Sequence, residues 1–271
     1  MRIKLNKATK RLLAWIEQFA KGNYNPIVTV WNSSKGNRRH IMEGVKSGRE
    51  HHFLSDGEYR EGIYRESLPQ TRVYFEQFPL WDIERAIRIA HDMGIKYPVD
   101  ADGEAYILST DFLCEDINLK TGEISKVARS YKPIDSLSIE TKHPVSVTRT
   151  FQKIELEYRY YKEIGVNFEL ITNLNISETC ATNLKWARKP AFFVHEFIQH
   201  EEAFLYSFLN HWQRDPLNIL RGNLVRTSEN LNISYSDALC LFQWCLWTHK
   251  LPVDLEKKIN PLRPISFKPG R

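Results

Sequence analysis

The stretch from Ser109 to Lys132, STDFLCEDINLKTGEISKVARSYK, constrains the chain more than any other. Asp111 sits in an apolar run from Tyr106 to Leu113, a polar turn containing Gly122 follows, and a second short run ends at Lys132. This pattern predicts two strands joined by a loop. Side chains alternate along a strand, so Ala128, Ser130 and Lys132 share one face. Paired with Asp111 near Lys132, such strands bring a carboxylate to an ammonium at a strand end. Carboxylate oxygens suit Mg²⁺, and a lysine can steady charge on a phosphate or orient a water, so the pattern points to metal-dependent phosphodiester hydrolysis. On spacing alone, a hairpin with a surface ion pair is the simpler reading.

A chain of 271 residues is long enough for two domains. Its 42% hydrophobic and 26% charged content fits a soluble globular protein. No stretch approaches the ~18 apolar residues of a membrane span. The basic N-terminus lacks the apolar core of a signal peptide. The four cysteines, Cys114, Cys180, Cys240 and Cys245, have no paired metal-ligand spacing, and reduced thiols of a cytosolic protein are expected. The net charge of +5 is uneven: residues 1–50 carry +8, leaving −3 for the rest. A basic N-terminal region suggests a polyanionic partner or a solvated basic face.

Residues 1–22 read as an amphipathic helix with Leu5, Leu12, Leu13, Ile16 and Phe19 on its apolar side, ended by Gly22. A short extended run is expected from Ile27 to Trp31. The Gly-, Ser- and base-rich stretch that follows reads as a hairpin or a phosphate-tracking loop. The His51-His52 pair is structural, because neighbouring strand residues point to opposite faces. Ser55-Asp56-Gly57-Glu58 opens a helix with a capping box. Glu58 could bond back to the backbone of Ser55 or serve as a second carboxylate ligand. A strand from Arg72 to Leu80, a helix capped by Asp82, the two strands already described, a helix from Thr150 to Ile164 and a last strand at residues 167–172 complete a mixed α/β domain. Phe151, Ile154, Tyr158 and Tyr161 are the expected stripe of the later helix, with Glu155 and Glu157 flanking it. From Ser177 onward helices dominate, and two short strands, LPVDL and RPISF, suggest a winged-helix-like module. The expected domains are a basic helix at 1–24, the α/β domain at 25–174 and the helical domain at 175–271.

The runs HHFLSDGE, EQFPL, GIKYPV, STDFL, YKP and RTFQKIELEYRYY, in this order, resemble the TnsA endonuclease family, a subunit of heteromeric Tns-type transposases. The resemblance implies a restriction-endonuclease-like fold with a mixed central sheet. It implies Mg²⁺-dependent cleavage, with Mn²⁺ as a substitute, of the non-transferred strand at transposon ends. It implies catalytic roles for Glu58, Asp111 and Lys132, an approach of Glu157 to the site, and metal ligands from Glu58, Asp111, the Tyr131 carbonyl and Ser130. Two residues before the lysine the family carries glutamine, and wider relatives carry Glu or Asp; the Ser130 hydroxyl is shorter than these and neutral. The implied partners are transposon-end DNA, a TnsB-like DDE-type transposase and, through the C-terminal domain, a TnsC-like AAA+ ATPase, on the nucleoid of a bacterial cytoplasm. A non-cutting DNA-binding adaptor and a stand-alone restriction-type nuclease are the competing readings.

Overall fold

The computed structural model describes residues 3–33, 38–193, 195 and 197–268. Part of the basic stretch, residues 34–37, therefore lies outside the described residues. The chain forms two compact units: residues 1–59 with 70–175, and residues 60–69 with 176–271.

The first unit is built on a four-stranded sheet. Its elements in chain order are α1 (Asn6–Ala20), β1 (His40–Glu43), β2 (Glu50–Phe53), the start of α2 (Asp56–Ser67), β3 (Thr71–Pro79), α3 (Ile83–Asp92), β4 (Ser109–Ile117), β5 (Ile124–Tyr131), a 3₁₀ turn (Ile134–Leu137), α4 (Pro144–Glu163) and β6 (Asn167–Ile171). The strand order is β3-β4-β5-β6, with β1 and β2 forming a separate antiparallel hairpin. β4 pairs antiparallel with both β3 and β5, whereas β6 runs parallel to β5. A parallel neighbour requires a crossover, and α4 supplies it. No strand forms at residues 27–31, where the chain turns instead.

Ala8 and Leu12 of α1, Phe78 of β3, Ala86 and Ile89 of α3, Leu113 of β4, Ala128 of β5 and Leu156, Tyr160 and Tyr161 of α4 share one buried cluster. α1 thus belongs to the sheet's core rather than standing apart as a basic arm. Its buried line is Ala8 and Leu12, flanked by Trp15 and Phe19, while Leu13 and Ile16 are exposed. α4 begins at Pro144, six residues before the expected start, because a proline is favoured in the first helical turn. Phe151 and Tyr158 are exposed, and the buried side is Val147, Leu156, Glu157, Tyr160 and Tyr161. This phase carries a glutamate inward, against the sheet.

The second unit is helical: α5 (Glu178–Ala187), α6 (Glu201–Arg214), α7 (Leu220–Leu231) and α8 (Tyr235–Trp247), with 3₁₀ turns between α5 and α6, and residues 60–69 of α2 and its exit. Leu184, Phe204, Phe208, Leu220, Leu224 and Phe242 are fully buried in it, each contributing about 1.5–3 kcal/mol of burial free energy. Ser234 and Asp237 form a reciprocal capping box on α8. The two expected C-terminal strands are absent among the described residues; single bridges join Val253 to Phe267 and Ile219 to Pro264. Pro252, Pro261 and Pro264 cannot donate to a ladder, which keeps the pairing to isolated bridges. Among the described residues no helix is long and apolar enough to cross a membrane.

Candidate active site

The register of β4 on β5 sets Phe112 opposite Arg129, so Asp111 falls beside Ser130 at the end of the ladder. One carboxylate oxygen of Asp111, Oδ2, accepts from the Tyr131 amide at 2.7 Å, the Lys132 ammonium at 3.1 Å and the Ser130 hydroxyl at 3.3 Å. The Lys132 ammonium also donates to the Tyr131 carbonyl and to Ser130 Oγ, both at 2.8 Å. Three acceptors thus match its three protons. Burial pushes the ammonium down, but Asp111, Glu157 and Glu58 outweigh it and hold Lys132 above its usual value.

Glu58 reaches the same place from the first turn of α2. Its amide donates to the Ser55 hydroxyl at 3.2 Å, and that hydroxyl donates back to Oε1 at 2.9 Å. Oε2 accepts from the Leu54 amide at 2.9 Å. Capping and site-facing roles therefore coexist, since each uses a different lone pair. Burial, and then Asp111, push the Glu58 carboxyl up to about 7. Gly57 permits this approach: a Cβ there would lie 1.9–2.3 Å from ring and hydroxyl atoms of Tyr131. Gly57→Ala should displace that ring and cost about 1–3 kcal/mol by overpacking, measurable as a lower denaturation midpoint.

Glu157 projects from the buried side of α4. Burial raises its carboxyl to about 7, with Lys132 pulling down and Asp111 pushing up, and the Thr110 and Ser130 hydroxyls also lowering it. Among the described residues its buried Oε2 has no hydrogen-bond partner. A carboxyl raised by folding penalises the fold once pH exceeds its ordinary 4.5, increasingly up to about 7. Glu157→Gln should therefore stabilise the fold by about 1–3 kcal/mol at pH 8 in chelator, read as a higher melting temperature, and change little at pH 4. Equal effects at both pH values would contradict this origin.

The fourth contributor went unread in the sequence. Gln77 Nε2 donates to Glu58 Oε2 at 3.2 Å and to Asp111 Oδ1 at 3.4 Å, while its Oε1 accepts from the Ser109 hydroxyl at 2.9 Å. Its backbone is left-handed, at φ +50°. The run EQFPL reads as ordinary strand; only the positive φ sets this residue apart, and no residue type in the run announces it.

Three carboxylates thus face one ammonium. Excess negative charge, hard oxygen donors and an orphaned buried oxygen on Glu157 fit a divalent cation. Among the described residues, however, no group of three or more His, Cys, Asp or Glu is placed to hold a metal alone. Asp111 turns Oδ2 to Lys132 and the β5 strand end, leaving Oδ1 and Glu58 Oε2 facing the Gln77 amide. Ser130 and the Tyr131 carbonyl lie on the lysine side of Asp111.

Residues 68–173 match the sequence profile of the TnsA-like endonuclease N-terminal family. Over 164 residues, 60% of this chain, it is 33% identical to the transposon Tn7 transposition protein TnsA of Escherichia coli. Residues 68–173 of the sheet domain are TnsA-like. The chain spans about half the length of that relative, 55%. Gln77, Asp111, Ser130, Tyr131, Lys132 and Glu157 all fall inside the matched part of the TnsA-like domain, whereas Glu58 precedes it.

Proposed function

We propose that this chain is the metal-dependent DNA endonuclease subunit of a cut-and-paste transposon. It would cut the non-transferred strand, on the 5′ side of each transposon end, by two-metal phosphodiester hydrolysis. The observation that carries this reading is the Asp111–Lys132 pair at the β4–β5 end with Glu58 close by. Asp111 and Glu58 would hold one Mg²⁺, for which Mn²⁺ can substitute; Asp111, the Tyr131 carbonyl and Ser130 would border the second. When bound, the cation polarises the phosphate and acidifies a water. Lys132, held by three acceptors, would exchange one of them to donate to the attacking water or to the phosphate oxygen on which charge builds. Glu157 keeps that lysine charged and in place. The restriction-endonuclease-like assignment of the sheet domain and the winged-helix-like assignment of residues 175–271 belong to this reading. So do the partners: transposon-end DNA, a DDE-type transposase that cuts the other strand, and an AAA+ regulator bound through the C-terminal domain.

One observation favours a second reading. Only two acids converge on the Gln77 amide, and Ser130 is a weak ligand, which suits a non-cutting adaptor that binds DNA and partners. Incubating the purified chain with donor plasmid and Mg²⁺, with and without the transposase partner, decides between them. Mapped 5′ nicks on the non-transferred strand, dependent on the partner, are expected. Intact DNA in an assembled complex would favour the adaptor, and cutting by the lone chain would favour a stand-alone nuclease.

A further inference from the structure

Gln77 combines three features that a purely structural glutamine does not need. It is buried, its backbone is left-handed, and its amide spans the two carboxylates proposed as ligands. A non-glycine residue at φ +50° is strained and persists only where its surroundings over-determine it. The surroundings here do so. Glu76 on one side is gripped by Arg49 and His51, Phe78 on the other is in the core, and the Gln77 carbonyl accepts from the Ile27 amide at 3.3 Å. β3 is otherwise in register with β4 across this point, with Glu76 opposite Phe112 and Phe78 opposite Thr110. The distortion is confined to the residue whose side chain meets Asp111.

We propose that Gln77 is a metal-ligating residue, supplying through its amide oxygen the third hard donor that Glu58 and Asp111 alone do not provide. The inference rests on the metal reading of the site. A half-turn about the last side-chain bond exchanges Nε2 for Oε1 and presents a carbonyl-type oxygen, a ligand that hard divalent cations accept. Ser109 tolerates both orientations, because its hydroxyl donates to Oε1 in one and accepts from Nε2 in the other. The nitrogen-inward orientation bonds to both carboxylates and holds them together against their mutual repulsion. The oxygen-inward orientation is favoured only when a positive ion replaces that donor.

The test measures Mn²⁺ binding to the full chain by the electron paramagnetic resonance signal of free Mn²⁺, at fixed pH and without DNA. Gln77→Asn keeps an amide and tolerates a left-handed backbone but withdraws the group by one methylene. It is expected to keep the wild-type melting temperature and to weaken Mn²⁺ binding at least tenfold. Gln77→Glu, with the original reach and an oxygen in either orientation, is expected to bind within about threefold of wild type or more tightly. In ¹⁵N-glutamine-labelled protein the Gln77 side-chain NH₂ pair, identified by its loss in Gln77→Glu, is expected to shift on adding Mg²⁺. Wild-type affinity in Gln77→Asn, alongside lost affinity in Asp111→Asn, would overturn the role of Gln77 and leave the metal site standing. Absence of Mn²⁺ binding in the wild type would overturn both.

Discussion

Asp111→Asn is expected to lower strand cleavage by at least about 10³-fold, roughly 4 kcal/mol of transition-state stabilisation, while leaving complex assembly intact. The shape of the side chain is preserved, so the β4–β5 end should keep its register and an amide oxygen can still accept from the Tyr131 amide. What disappears is the charge. Oδ1 faces Glu58 across the Gln77 amide, and Oδ2 is the anionic partner of Lys132, so one substitution weakens the cation site and unpairs the ammonium together. Lys132 would retain Ser130 and the Tyr131 carbonyl as acceptors, but neither carries charge to offset burial. A gel assay of nicked donor DNA reads the cleavage, and a mobility shift of the assembled complex on labelled transposon ends reads assembly. Undiminished nicking would refute the endonuclease assignment of this site; loss of both signals would place Asp111 in the fold.

Much of this site is legible before any coordinate is seen, because strand alternation and a short hairpin suffice to bring Asp111 to Ser130 and Lys132. Glu58 is half legible. The capping pattern at Ser55 places it in the first turn of α2, yet nothing local says which way its oxygens point. Glu157 is harder, since a helical stripe can be phased on any set of large residues. Aromatic Phe151 and Tyr158 attract the assignment, but the sheet takes Leu156 and Tyr160 instead, and the glutamate between them goes inside. The same error of phase affects α1, where Leu13 and Ile16 are exposed and small Ala8 is buried. Tertiary packing, not residue size, decides which side of a helix is covered. Gln77 is illegible for a different reason. Its role depends on one backbone torsion imposed by groups distant in the chain, and no pattern within EQFPL encodes that. The C-terminal segments fail as strands because their prolines interrupt the donor row, a signal present in the sequence that hydrophobic alternation obscures.

The largest loss of stability is expected from the residue before Gln77. Glu76 is fully buried and takes a two-pronged contact from Arg49, with Nη1 to Oε1 at 2.8 Å and Nη2 to Oε2 at 2.7 Å. His51 Nδ1 lies 2.8 Å from Oε2, and the His52 amide donates to Oε1 at 3.1 Å. The Glu76 carbonyl accepts from the Tyr24 hydroxyl at 2.5 Å, and the Arg49 guanidinium covers the Tyr24 ring at 4.6 Å. This network joins β2, β3 and the segment after α1, and it holds the strand at the point where Gln77 turns left-handed. Burial alone would raise the Glu76 carboxyl, but Arg49 and His51 more than reverse it and hold the group at about 2. Glu76→Ala strands the Arg49 cation against Tyr24 and should cost about 3–5 kcal/mol, seen as a lower denaturant midpoint. The pH dependence follows with a definite sign. A carboxyl ordinarily at 4.5 and held near 2 contributes fully above pH 4.5, and its contribution of ~3 kcal/mol fades as pH falls towards 2. Wild-type melting temperature should therefore drop steeply across that interval, and Glu76→Gln should flatten the drop. Glu58 and Glu157 act between pH 4.5 and about 7 in the opposite sense, so the two effects separate on one pH scan. An acid limb unchanged in Glu76→Gln would show that the Arg49–Glu76–His51 network does not govern stability, and that other contacts hold Gln77 in place.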